Sequence, residues 1–98
     1  MDMAMREVVE DRLKVLGQLD FDAIKALPAQ KRETAPSLGK VEVIQYHDVA
    51  NTGEHLVVVQ ALRPRWLGLS TAIEVDGFVM APDGTKRPLV EQEKWPFM

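Results

Sequence analysis

Two histidines flank a short polar loop in the segment QYHDVANTGEH, residues 45–55. If residues 49–53 form the loop of a β-hairpin, His47 and His55 lie opposite each other on one face of the paired strands. Cross-strand neighbours at that spacing bring two imidazoles close enough to reach one metal ion. The chemistry to weigh first is therefore a two-histidine metal or ligand site.

The same hairpin supplies too few ligands for a zinc ion. Its register pairs Tyr46 with Leu56, which directs the carboxylates of Asp48 and Glu54 to the other face because side chains alternate along a strand. Two ligands remain where a zinc site needs three or four. We therefore predict partly exposed histidines at the end of a hairpin, with no bound metal and no cofactor.

A second candidate is the segment RPRWLG, in which Arg63 and Arg65 stand beside the indole of Trp66. Two guanidinium groups and an aromatic ring can hold a phosphate and stack on a nucleotide base. The whole chain carries a formal net charge of −3, however, and has no helix with a basic face. The sequence therefore makes nucleic-acid binding an alternative rather than the leading prediction. The candidate partner-binding residues are Arg63, Arg65, Trp66, Trp95 and Phe97.

Arg12 lies within the apolar stripe of the first predicted helix, where its charge needs an acidic partner or a path to solvent. Glu74 and Asp76 share one face of a predicted strand and are the expected partners if the helix packs on that side. The same two acids could form an acid and base pair, but paired acids on a strand face are usually solvated. Ser70 lies outside the G-x-S-x-G pattern of a nucleophile elbow. We predict no catalytic residues.

Composition limits the kind of protein. The chain has 98 residues, 46% apolar and 28% charged, which is typical of one folded domain. It contains no cysteine, so disulfides and thiolate metal sites are excluded. The opening residues hold acids where a signal peptide needs basic and apolar stretches, and no apolar run could span a bilayer. These features predict a cytoplasmic protein without membrane association.

Hydrophobic periodicity divides the single domain, residues 1–98, into four parts. Residues 1–27 show a helical period followed by a capped short helix, with Gly17 expected to end the first helix in a left-handed conformation. Residues 28–40 contain two prolines and are predicted to be a linker. Residues 41–90 are rich in β-branched side chains and predict an antiparallel sheet, with a bulge or bend at Gly77. Residues 91–98 form a tail that is either helical or extended.

The predicted fold is α+β, with an N-terminal helix and a short second helix packed on a three- or four-stranded antiparallel sheet. Both faces of the hairpin strands are apolar, so one face needs a second cover, supplied by Trp95 and Phe97 or by another subunit. The leading functional prediction is a small non-catalytic interaction or accessory protein that binds a protein partner or forms a homodimer. The alternatives are a small enzyme or ligand or metal binder using the two histidines, and a nucleic-acid binder using the Arg-Pro-Arg-Trp segment.

Overall fold

The computed structural model describes residues 3–35, 41–65, 70–94 and 96, and it has the α+β fold that the sequence predicts. Within these described residues, two N-terminal helices precede a sheet of five strands, and a one-turn helix follows it. The elements in chain order are α1 Met3–Leu16, α2 Phe21–Lys25, β1 Gln30–Ala35, β2 Val41–Val49, β3 His55–Arg65, β4 Ser70–Met80, β5 Lys86–Pro88 and α3 Glu91–Lys94.

The two N-terminal helices bury one apolar side each. Met5, Val9 and Leu16 of α1 are almost fully buried, as the helical period of the sequence requires. α2 begins after Asp20, whose carboxylate accepts a hydrogen bond from Ala23 N–H at 2.8 Å. The expectation for Gly17 is wrong. Its φ is not positive, and its N–H continues the helical pattern by donating to the Leu13 carbonyl at 2.7 Å.

The sheet is an antiparallel meander with the strand order β1-β2-β3-β4-β5. It has more strands than the three or four expected, partly because residues 30–35 form β1 and not a linker. The sequence of β1 is QKRETA, which has no alternation of apolar and polar residues. An edge strand with several charged side chains leaves no such pattern, since it contributes little to the core.

The helix-facing side of the sheet contains the main core. α1 packs over β3 and β4, and Val57, Val59 and Ala61 beneath it are fully buried. No described helix is long and apolar enough to cross a membrane.

The opposite side of the sheet, called here the second face, is covered to a greater extent than the sequence predicts. Ile44, Val58 and Val79 are between 0 and 3% exposed within the single chain. Part of the cover comes from Leu89, since the chain leaves β5 at Pro88 and turns across this face. These described residues are therefore covered within the single chain, without the second subunit that the sequence left as an alternative.

Gly77 has a role different from the bulge or bend that the sequence predicts. The register between β3 and β4 runs without interruption from His55↔Met80 to Arg65↔Ser70, and Gly77 lies opposite Val58 within it. A Cβ added at Gly77 would lie 2.1 Å from the Val57 carbonyl oxygen and 2.8 Å from Leu89 Cδ1. Glycine is required here because the neighbouring strand and the covering leucine approach this backbone too closely for any side chain.

Candidate functional site

The two histidines meet, although the hairpin register differs from the expected one. Val49 lies opposite His55, and His47 lies opposite Val57, so the pairing is displaced by two residues from the predicted one. A displacement of two keeps every side chain on its predicted face, because the side-chain period of a strand is two. His47 and His55 are diagonal neighbours on the helix-facing side, where His55 is only 6% exposed.

Their rings lie end to end and not face to face. His47 Nε2 is 2.7 Å from His55 Nδ1, the ring planes differ by 11°, and the ring centroids are 5.0 Å apart. A centroid distance of this size results when the radii of the two rings are added to the distance between the nitrogens, with the centroids and nitrogens on one line. The contact is therefore a nearly linear hydrogen bond within one plane.

The surroundings fix the tautomers of the neutral pair. His47 Nδ1 lies 3.0 Å from the Leu27 carbonyl oxygen, which can only accept, so this nitrogen carries a hydrogen. His47 Nε2 is then an acceptor, and His55 Nδ1–H must donate to it. The result is a chain of donors from His55 through His47 to the loop that follows α2. These bonds fasten that loop to the end of the sheet.

Burial keeps the buried ring neutral. Desolvation lowers the pKa of His55 below its ordinary value, and electrostatic interactions with His47 and Lys25 lower it further. The edge of Phe21 from α2 packs against the same ring, with centroids 5.1 Å apart. A proton added at His47 Nε2 would place two N–H groups against each other, so the bond is made by the neutral form of His47 and suits a structural role.

The geometry does not favour a metal at this position. The two facing nitrogens bond to each other, and tetrahedral zinc ligands at ordinary bond lengths would stand farther apart than 2.7 Å. No group of three or more histidine, aspartate or glutamate residues within the described part of the chain is placed to hold a metal ion. The prediction that the protein has no metal stays a prediction.

The partner proposed for Arg12 is wrong. The Arg12 guanidinium binds the Glu33 carboxylate of β1. Hydrogen bonds from Arg12 and then Lys31 lower the pKa of Glu33 to about 2. Arg12 was paired with the wrong strand because β1 was not recognised in the sequence.

Glu74 and Asp76 face Arg6 and not Arg12. Arg6 lies nearer the start of α1, with its guanidinium 3.7 Å from the Glu74 carboxylate and 3.2 Å from that of Asp76. Lys94 of α3 also reaches Asp76, at 3.5 Å. The two acids thus tie both helices to β4, which argues against a solvated catalytic pair.

The basic and aromatic candidates for partner binding are only partly placed. Arg63 and Arg65 belong to β3, opposite Ala72 and Ser70 of β4. Pro64 between them lies beyond the last β2 partner of β3, which is Leu62, so its missing N–H disrupts no bond to β2. Trp66, Trp95 and Phe97 lie outside the described residues.

Sequence reasoning missed an open groove along α1. It has a volume of about 410 Å³ and is lined by Val8, Asp11, Arg12 and Val15. Val15 is 62% exposed. The guanidinium of Arg12 is already engaged with Glu33, so the groove offers a mainly apolar flank without a converging set of polar groups.

The outer edge of β4 is the other feature that sequence reasoning missed. Ala81 N–H donates to the Thr85 carbonyl at 2.8 Å, which sets the direction of the backbone groups along the strand. Because these groups alternate between the two sides of an antiparallel strand, the odd-numbered residues of β4 point theirs away from β3. β5 pairs only with residues 78–80. Within the described ranges, no strand pairs with residues 70–77 on this side.

This edge has a defined end and an apolar centre. Gly77 N–H, which also points outward, donates to the Asp76 carboxylate at 2.8 Å. The backbone groups of Ile73 and Val75 follow toward the start of the strand. Ile73 is 40% exposed, and on the second face it lies opposite Leu62. We call residues 70–76 the open edge of β4.

The other edge of the sheet is more strongly charged. His47 N–H donates to the Ala29 carbonyl at 3.0 Å, so the odd-numbered residues of β1 face β2 and the even-numbered residues point outward. Lys31, Arg32 and Glu33 follow one another there, and each forms an ion pair. Consecutive charges discourage strand pairing at an edge.

Comparison of the chain with protein-family models, with curated proteins and with solved structures found no match.

Proposed function

We propose that this chain is a small interaction protein that binds an extended segment of a protein along the open edge of β4. The supporting observation is the set of outward backbone groups at Ile73 and Val75, beside an Ile73 side chain that is 40% exposed. An added strand would pair with these groups and cover the isoleucine, which is the usual mode of strand addition.

The side chains along the two edges favour β4 over β1 as the binding edge. An incoming strand at β1 would meet the charged row at residues 31–33, whereas the centre of the open edge is Ala72, Ile73 and Glu74. Glu74 already has Arg6 as a partner, so its charge is partly compensated. Edges with fewer charged side chains are the ones that pair with other chains.

The binding surface is thus an edge of the sheet and not the apolar sheet face that the sequence suggested. The proposal retains the prediction of a protein partner without a catalytic role. A cysteine-free composition is compatible with the cytoplasm, where we expect the protein to act. The histidine pair has no part in the proposal, because its facing nitrogens already bond to each other.

Two proline variants test the proposal at matched positions. The N–H groups of Ile73 and Thr34 both point outward, at the open edge of β4 and at the edge of β1. Proline at either site removes a donor to a partner without removing a bond within the sheet. Wild type, Ile73→Pro and Thr34→Pro would be isolated with a tag from the native cells, and each assembly would be weighed by native mass spectrometry.

We expect wild type and Thr34→Pro to carry bound protein and Ile73→Pro to emerge as a single chain. Circular dichroism would confirm that both proline variants are folded. Ile73→Lys, which keeps the N–H but adds a charge to the edge, provides a second test if proline disturbs folding. A folded Ile73→Pro variant that retains the same bound protein as wild type would show that the open edge is not the binding site.

A further inference from the structure

We infer that the segment bound at the open edge of β4 is β4 of a second copy, antiparallel, with Ile73 opposite Ile73 of the copy. This inference rests on the proposed function and names its partner. It joins two five-stranded sheets into one continuous sheet through a twofold axis at Ile73.

The direction of the backbone groups limits the registers. Odd-numbered residues of β4 point outward, so a strand that pairs with its own copy must place residues of equal parity opposite each other. The twofold axis therefore passes through a residue and not between two residues. The available axes lie at single positions along residues 70–76.

Charge selects among these axes. An axis at Glu74 places that carboxylate opposite itself, and an axis at Val75 places Glu74 opposite Asp76 of the copy, twice by symmetry. Like charges directly opposite each other destabilise a pair of strands. An axis at Ala72 avoids this contact but pairs only residues 70–74 with each other.

The axis at Ile73 pairs the full open edge. It places Glu74 opposite Ala72 of the copy and Asp76 opposite Ser70, so neither acid lies directly opposite another acid. Ile73, Thr71 and Val75 then exchange backbone bonds with Ile73, Val75 and Thr71 of the copy, about six bonds by the antiparallel pattern. The pairing ends where the Asp76 carboxylate already occupies Gly77 N–H.

The edge of β1 is unsuited to the same pairing. Its outward groups belong to Gln30, Arg32 and Thr34, so the parity rule applies there as well. Axes at residues 31, 32 and 33 place Lys31, Arg32 or Glu33 opposite itself. Charge therefore favours self-association at β4 over the same pairing at the centre of β1.

The absence of cysteine from the chain provides a direct test of the register. In the inferred dimer, a cysteine at position 73 faces its own copy at a separation that a disulfide can bridge. Val49 and Val15 are exposed by 52% and 62% on other surfaces. Val49→Cys serves as the control for random oxidation, and Val15→Cys tests association through the groove of α1.

The experiment combines sedimentation of wild type with mild oxidation of the three cysteine variants. We expect wild type to have twice the chain mass of 11.0 kDa. Ile73→Lys should be folded and monomeric. Ile73→Cys should become cross-linked at least about tenfold faster than Val49→Cys or Val15→Cys.

Two outcomes would overturn the inference. One is a wild-type chain that stays monomeric at millimolar concentration, and the other is a dimer in which Val15→Cys cross-links faster than Ile73→Cys. Neither outcome decides the proposed function, which depends on whether Ile73→Pro loses the protein bound in native cells. A monomeric wild type whose native partner is lost in Ile73→Pro would leave the edge as a binding site for a different protein.

Discussion

Replacing Gly77 with alanine is expected to destabilise the protein strongly, and the coordinates give the reason. The added Cβ would lie 2.1 Å from the Val57 carbonyl oxygen, 2.8 Å from Leu89 Cδ1 and 3.0 Å from Val58 Cα. Leu89 can change its rotamer, but the two contacts on β3 involve backbone. The strands must separate by roughly 1 Å to restore ordinary contact distances, and core interiors resist such shifts.

The size of the effect follows from known costs. Overpacking of this kind costs about 3 kcal/mol, and the lower flexibility of alanine in the unfolded chain offsets about 0.5–1 kcal/mol. A net loss of about 2 kcal/mol lowers the melting temperature of a domain of this size by roughly 8–16 °C. The free energy of unfolding would be measured by urea titration followed by circular dichroism.

Gly84→Ala is the matched control. Gly84 has a φ of +89°, and a Cβ there meets nothing within 4 Å, so alanine incurs only the backbone cost of about 1 kcal/mol. Gly77→Ala should therefore lose clearly more stability than Gly84→Ala. If the two variants lose equal amounts, or if Gly77→Ala loses less than about 1 kcal/mol, the close approach of β3 to β4 is not what requires glycine.

Three further predictions concern polar contacts. The pKa of His55 is lowered by burial and by His47, so the unfolded state takes up a proton at higher pH than the folded state. Urea midpoints should therefore fall as the pH drops below about 6.5, and this fall should be smaller in His55→Asn. The Glu33 pKa of about 2 means that its contribution to the free energy of unfolding is complete above pH 4.5 and is lost toward pH 2. Arg12→Met should raise that pKa in an NMR titration. The same variant should lose no more than about 1 kcal/mol of stability, since the ion pair is partly exposed. Asp20→Ala removes the cap of α2 and should cost about 1 kcal/mol in the same urea assay, whereas Asp20→Asn should cost less. An unchanged urea midpoint or pKa in any of these tests would contradict the corresponding contact.

The sequence was sufficient to predict features that depend on periodicity. His47 and His55 were placed on a common face correctly even though the register was displaced by two residues, because such a displacement preserves the faces. The cap of the short second helix also follows from local chemistry, and it is confirmed at Asp20. Local patterns of this kind involve residues close together in the chain.

Features that depend on strand order could not be obtained in this way. β1 has no alternating pattern, so the predicted sheet lacked this strand. As a result, Arg12 was assigned to the acids of β4 instead of Glu33. The second face was expected to be covered by Trp95 and Phe97 or by another subunit, and the contribution of Leu89 was missed, since it depends on where the chain turns after Pro88. Which strand forms an edge is likewise a property of the whole sheet, so the binding site proposed at β4 was not visible in the sequence.

Asp76 connects the closed and open parts of β4. Its carboxylate accepts from Gly77 N–H and forms ion pairs with Arg6 of α1 and Lys94 of α3, so one side chain fastens both helices and occupies the last outward donor before the residues paired with β5. The strand beyond it toward residue 70 has outward groups without a described strand partner. The Asp76 carboxylate thus ends the pairing on this side of β4, and the stretch around Ile73, which is 40% exposed, stays available. The length of the binding edge is therefore set by the same side chain that holds both helices to the sheet.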